Sequence, residues 1–132
     1  MDPNVSCEKC SKPLEIKVGQ SIIDEKLVWH ASFSCQECQY WLEEDGMGEM
    51  PDNYRSIIIK EKGLWQIEIF ESKNMAQILK VLRTTFDLSI GDVVRLKKNI
   101  PGVLYKGTLV EMKRLEKVFR KYNISCRVTT SN

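Results

Sequence analysis

Residues 7–38 read Cys7-Glu8-Lys9-Cys10, then twenty-four residues, then Cys35-Gln36-Glu37-Cys38. Two residues between paired cysteines let both thiolates reach one ion, and two such pairs supply the four soft ligands of a tetrahedral zinc. Cys7, Cys10, Cys35 and Cys38 are therefore expected to hold one structural zinc ion. The competing readings are free thiols or a redox pair. A redox pair sits at a helix N-terminus after a buried strand, which neither pair does. Four cysteines close the coordination sphere, so no position is left to activate water, and a zinc-dependent hydrolase is disfavoured.

Outward from the cysteines the pattern is that of strands. Leu14-Glu15-Ile16-Lys17-Val18 alternates apolar and polar residues, the period of a half-buried strand. Leu27 through Phe33 reads as a second strand, with Gly19 to Lys26 as a polar turn region between them. Such a build resembles a four-cysteine zinc ribbon over residues 1–50. His30 is the only histidine. Trp29-His30 with Phe33 and Cys35 is similar to a short piece of a LIM finger, but the next expected cysteine is missing, so His30 is placed outside the ligand set. Glu43-Glu44-Asp45-Gly46-Met47-Gly48-Glu49 is acidic and glycine-bearing, and is expected to be an exposed loop.

Pro51 suits the first turn of a helix over 51–63 that brings Tyr54, Ile57 and Ile58 to one face and stops at Gly63. The three isoleucines would equally suit a strand, and the pattern leaves open which half this connecting segment joins. Leu64 to Phe70 alternates cleanly as a strand. Ser72 or Asn74 can cap a helix carrying Met75, Ile78, Leu79, Leu82 and Phe86 inward. Ser89 to Asp92 has the spacing of a capping box and opens a second helix expected to bury Ile90, Val93, Val94 and Leu96. Pro101-Gly102 breaks the chain before a short strand, Val103 to Tyr105. Thr108 and Glu111 form a capping box for a third helix with Met112, Leu115, Val118 and Phe119 inward. Asn123 then ends that helix, and Ile124 to Val128 closes the chain as a strand. The expected class is α+β: a small ribbon, then strand, helix, helix, strand, helix, strand over residues 64–132.

This second half resembles the C-terminal domain of the bacterial large-subunit ribosomal stalk protein. The likeness runs through Ile78-Leu79-Lys80-Val81-Leu82-Arg83, Leu88-Ser89-Ile90, Pro101, Lys106-Gly107-Thr108 and the lysine-rich last helix. It implies the same element order. In that family the first two helices recruit translational GTPases through basic and apolar residues, and Lys80 and Arg83 stand at matching positions. Asp87 and Ser89 replace glycines of the family's turn, and Met75 and Val94 stand where the family carries lysines. The resemblance therefore implies the fold and not the ribosomal task.

Charge divides the chain. Residues 1–72 carry seven Lys/Arg against fourteen Asp/Glu, net −7; residues 73–132 carry thirteen against four, net +9; the sum is the overall +2. The two halves either attract one another or offer surfaces of opposite sign to partners. Arg95, Lys97 and Lys98, with Lys113, Arg114, Lys117, Arg120 and Lys121, make the basic set, for which nucleic acid is an alternative partner. No apolar run approaches the ~20 residues that span a bilayer, and the paired thiols point to the cytoplasm. The sole histidine has no evident nucleophile partner, and no phosphate-cradling glycine loop occurs. The expectation is a non-enzymatic module that binds a protein partner. Its candidate contact residues are Glu43, Glu44 and Asp45 on the acidic side and Lys80, Arg83 and Arg95 on the basic side. Small bacterial proteins of this build look similar to immunity proteins that neutralise a toxin. The alternative is a translation-associated protein docking on a GTPase or ribosomal RNA through its basic half.

Overall fold

The computed structural model describes residues 6–70, 73, 75–86 and 88–131. The described residues form a mixed α+β chain with two three-stranded antiparallel sheets and four helices, and it divides into two units, Met1–Gly63 and Leu64–Asn132. The proposed capping residues Ser72 and Asn74, and Asp87 of the turn, lie outside the described residues.

The first unit is a meander of β1 (Glu15–Ile23), β2 (Lys26–Ser34) and β3 (Trp41–Met47), followed by α1 (Asp52–Lys62). β1 and β2 are longer than the alternation over Leu14 to Val18 implies. Strand pairing runs on to Ile23 opposite Lys26, and the expected polar turn shrinks to Asp24 and Glu25. Both take left-handed backbone, with φ of 51° and 66°, as a two-residue hairpin turn demands. The register puts Ile16 opposite Phe33, Val18 opposite Ala31 and Gln20 opposite Trp29 on one face, which α1 covers. Tyr54 of α1 lies against Trp29 and Phe33, with ring centroids 5.7 and 6.1 Å apart. Ile58, one turn on, is also buried, and Met50 completes the cluster. Helix α1 ends at Gly63, whose φ of 87° is open to glycine at little cost. It is grouped with the sheet of residues 15–47, which decides the allegiance the pattern left open.

The stretch expected as an acidic loop is instead β3. Residues Trp41 to Met47 pair antiparallel with Ser34 to Val28. Carboxylates are poor strand formers, but here they sit on an edge strand facing water, where backbone pairing with β2 costs them no desolvation. Gly46 falls opposite Trp29, and a Cβ there would come within 2.6 Å of the indole Cζ2, so the glycine makes room for the ring.

The second unit runs β4 (Trp65–Ile69), α2 (Met75–Phe86), α3 (Ile90–Lys97), β5 (Gly102–Gly107), α4 (Leu109–Lys121) and β6 (Cys126–Thr130). This is the order the periodicity gives. The sheet order is β5-β4-β6, so the first strand lies in the middle and carries two fully enclosed isoleucines, Ile67 and Ile69. Ile78, Val81 and Leu82 of α2 and Met112, Leu115 and Phe119 of α4 pack into the same core. Both capping boxes form. Asp92 N–H donates to Ser89 Oγ at 3.2 Å, and Glu111 N–H to Thr108 Oγ1 at 3.1 Å, with each acidic side chain reaching back to the cap N–H. Asn123 takes the left-handed conformation after α4, at φ 58°. The closing strand starts two residues later than expected, at Cys126, with Ile124 buried ahead of it. Helix α3 departs from expectation more seriously. Ile90 and Val94 stay 68% and 51% exposed, and no residue of α3 is fully buried. Leu96 and Phe86 reach the core edge, and α3 rests there on a single side.

Candidate metal centre

Two short turns bring the four cysteines together. In the first, Cys7 N–H donates to Lys12 O at 2.7 Å and Ser11 N–H to Cys7 O at 2.8 Å. In the second, Cys35 N–H donates to Tyr40 O at 2.8 Å and Gln39 N–H to Cys35 O at 3.1 Å. Ser11 and Gln39, each just past the second cysteine of its pair, both take left-handed backbone, at φ 62° and 58°. The two turns are thus copies of one geometry, a knuckle that folds a C-x2-C segment so both sulphurs face the same point. β1 and β2 carry the knuckles, the first leading into Glu15 and the second leaving Ser34, and the pairing of Glu15 with Ser34 sets them side by side.

The sulphur geometry is that of a cage. Cys7 Sγ lies 3.3 Å from Cys38 Sγ, Cys10 Sγ 3.5 Å from Cys35 Sγ, and Cys38 Sγ 3.4 and 3.7 Å from those of Cys35 and Cys10. All four ligand atoms fall within 4.8 Å of one another, and no disulfide forms. A tetrahedron with metal–sulphur bonds of ~2.3 Å has edges of ~3.8 Å, while a disulfide needs ~2.05 Å. The observed separations are far from bonding and near the tetrahedral edge, so the residues present fit a metal ion. Cys7 and Cys35 are buried, and Cys10 and Cys38 are partly open to water.

Protonation follows the turns. Backbone N–H groups of Cys38 and then Glu37 point at Cys35 and hold its thiol at about 6, well below 9.0. Cys38 faces the thiols of Cys7 and Cys35 and is pushed up to about 12. Cys7 is drawn down although burial, its strongest single influence, opposes this; the N–H of Cys10, the Cys38 thiol and the N–H of Lys9 outweigh it. Cys10 goes up in spite of the Lys12 N–H, through the Cys35 thiol and burial. In each knuckle the first thiol is drawn down and the second pushed up; a bound cation would displace the protons that remain.

His30 stays apart from this cage. It lies on the outer face of β2, exposed, with its ring across Gly19 of β1 and opposite Asp45 of β3. Cys126 is buried at the start of β6 in the second core, where burial raises its thiol.

The expected acidic contact set does not form one patch, because strand alternation divides it. Glu43 and Asp45 share the outer face with Ser32 and His30, while Glu44 turns to the inner face and accepts a hydrogen bond from the Tyr54 hydroxyl. The outer face also carries Trp41 and Met47, 61% and 72% exposed. That aromatic and apolar content was missed because a loop reading gives side chains no common face. On the basic side, Lys80 and Arg83 are exposed one turn apart on α2. Arg95 on α3 is exposed and paired with Asp92. Of the wider basic set, Lys113 and Arg120 both reach Glu116, at 3.3 and 3.5 Å. Among the described residues, no helix is long and apolar enough to cross a membrane. No protein-family model, curated protein or solved structure matches the chain.

Proposed function

We propose that this chain is a zinc-stabilised binding module that acts by presenting surfaces, with no catalytic step of its own. The observation that carries this is the four-sulphur cage. A zinc ion held by Cys7, Cys10, Cys35 and Cys38 has its tetrahedral positions filled by protein, so its role is to clamp the fold. Thiolate chemistry favours zinc over harder divalent ions. On this reading the first half is the zinc ribbon and the second the stalk-type domain that the sequence resembles.

The partner best suited to the first unit is a protein with a basic, partly apolar surface, such as the nucleic-acid cleft of a toxin that an immunity protein would block. The outer face of the first sheet supports this, because Glu43 and Asp45 lie between Trp41 and Met47, an acidic patch with an aromatic anchor. The test begins with metal analysis of the purified chain, expected to return about one zinc per chain. It continues with inhibition of any secreted nuclease encoded beside it. Glu43→Lys with Asp45→Lys should weaken inhibition by about tenfold or more. A zinc-bound chain that leaves the neighbouring nuclease fully active, or a gene without such a neighbour, would sink the immunity reading.

A translation-associated role is the second reading. It is favoured by Ile90 and Val94, exposed on α3 beside Arg95. Co-sedimentation with ribosomes that falls steeply with salt would support it. An absence of sedimentation at low salt would end it.

A further inference from the structure

β1 is an edge strand, since among the described residues it pairs with β2 alone. Beside it runs an open groove of about 760 Å³, floored by Leu14 and Ile16 and walled by Ile57, Lys60 and Glu61 of α1. An unpaired edge next to an apolar groove is half of a binding site for another strand, whose backbone would extend the sheet and whose alternate side chains would fill the groove. The sequence of this edge specifies the strand. Leu14-Glu15-Ile16-Lys17-Val18, laid antiparallel on a second copy of itself about Ile16, sets Glu15 against Lys17 twice. It also sets Ile16 against Ile16 and Leu14 against Val18. Moving the axis to Lys17 opposes Lys17 to itself. Moving it to Val18 opposes Glu15 to Ser21 and Lys17 to Gly19, and both charge pairs vanish. Glu15 and Lys17 are exposed, while Ile16 is half-buried on the groove side.

We propose that two copies of this chain associate through antiparallel β1–β1 pairing centred on Ile16, joining two three-stranded sheets into one of six strands. The two grooves meet along the seam, where Ile16 of one copy packs on Ile16 of the other close to Ile57, and two Glu15–Lys17 pairs bridge the outer face. The contact is isologous and uses each β1 edge once, so assembly closes at two. It is a small interface, of the kind that forms at high concentration rather than an obligate one. It stands independently of the zinc and of the partner proposed above.

The test is sedimentation velocity on the full, metal-loaded chain, whose monomer mass is 15.3 kDa. Mass should rise toward twice that value with concentration. Glu15→Lys alone and Lys17→Glu alone each convert two attractive pairs into two repulsive ones and should weaken association by about tenfold. The doubly swapped chain should recover the original affinity, and a mixture of the two single variants should associate better than either alone. Glu15 also accepts a hydrogen bond from Gln36 of its own chain, so metal content and circular dichroism of the variants check that they remain folded. A second measurement is hydrogen exchange, where amide protection at residues 14–18 should grow with protein concentration. A chain that stays monomeric up to about 1 mM, or a dimer that ignores the single swaps, would overturn the proposal. A double swap no better than the single variants would do the same.

Discussion

Withdrawing the metal is expected to unfold the first unit and leave the second folded. The first core is small: Cys7, Leu14, Ala31, Phe33, Cys35, Met50, Tyr54 and Ile58, of which two would be ligands. A unit the size of Met1–Gly63 has a net stability of about 3–9 kcal/mol at the usual value per residue. A structural four-ligand zinc site contributes about 10–16 kcal/mol of apparent binding energy near neutral pH. The loss exceeds the whole stability of the unit, so no folded metal-free form should persist at measurable population. The second core, built on Ile67, Ile69, Ile78, Leu82 and Phe119, holds no ligand and keeps its packing. The three tryptophans read the two outcomes separately. Trp29 and Trp41 lie in the first unit, and Trp65 packs against the second core. In a proton–nitrogen correlation spectrum, a strong chelator should collapse two indole signals to their random-coil position and leave one dispersed. Three dispersed indoles in demonstrably metal-free protein would refute the reasoning, and so would the loss of all three.

Thr108→Ala removes a hydroxyl that is buried and caps α4, so it should cost about 1–2 kcal/mol in the second unit. The melting temperature of that unit should fall by about 4–8 °C per kcal/mol; an unchanged melt would discount the cap. Gly46→Ala forces a methyl against Trp29, which is held by Tyr54, and should destabilise the first unit by about 1–3 kcal/mol in denaturant titrations. Gly19→Ala meets only the exposed His30 ring, which can swing out, and should stay within about 0.5 kcal/mol of the parent. Equal effects at the two glycines would contradict this packing. Asp92 is held below the ordinary 3.8 by the Ser89 hydroxyl and N–H and by Arg95. Its folded value lies under its unfolded one, so its contribution to α3 is complete above about pH 4 and fades as pH falls through the folded value. Carboxyl carbon titration should show this, and an Asp92 that titrates at or above 3.8 would contradict it.

Local chemistry made much of this chain legible. The C-x2-C pairs, both capping boxes, Gly63 and Asn123 each act over a few residues, and the structure forms each of them where the residues imply. What escaped depends on distant partners. Glu43-Glu44-Asp45 has the composition of a solvated loop, and only pairing with β2 makes it a strand and divides its carboxylates between two faces. Gly19 to Ile23 looked polar enough to turn, yet the β1–β2 ladder carries on through it. Ile90 and Val94 occupy helical spacing that ordinarily marks a core face. How much of that face is covered depends on the placement of α3, which its own periodicity does not encode.

The near identity of the two knuckles bears on how the ion enters and leaves. Each knuckle is wound by its own short hydrogen bonds, so each is a bidentate half-site on its own. Because the metal-free unit is unfolded, capture would close one knuckle first, and the hairpin would order as the second joins it. Release runs backwards through a state in which one half has let go and the other still grips. An incoming chelator could take the vacated positions in that state, so a bound ion would pass hand to hand without leaving as a free ion.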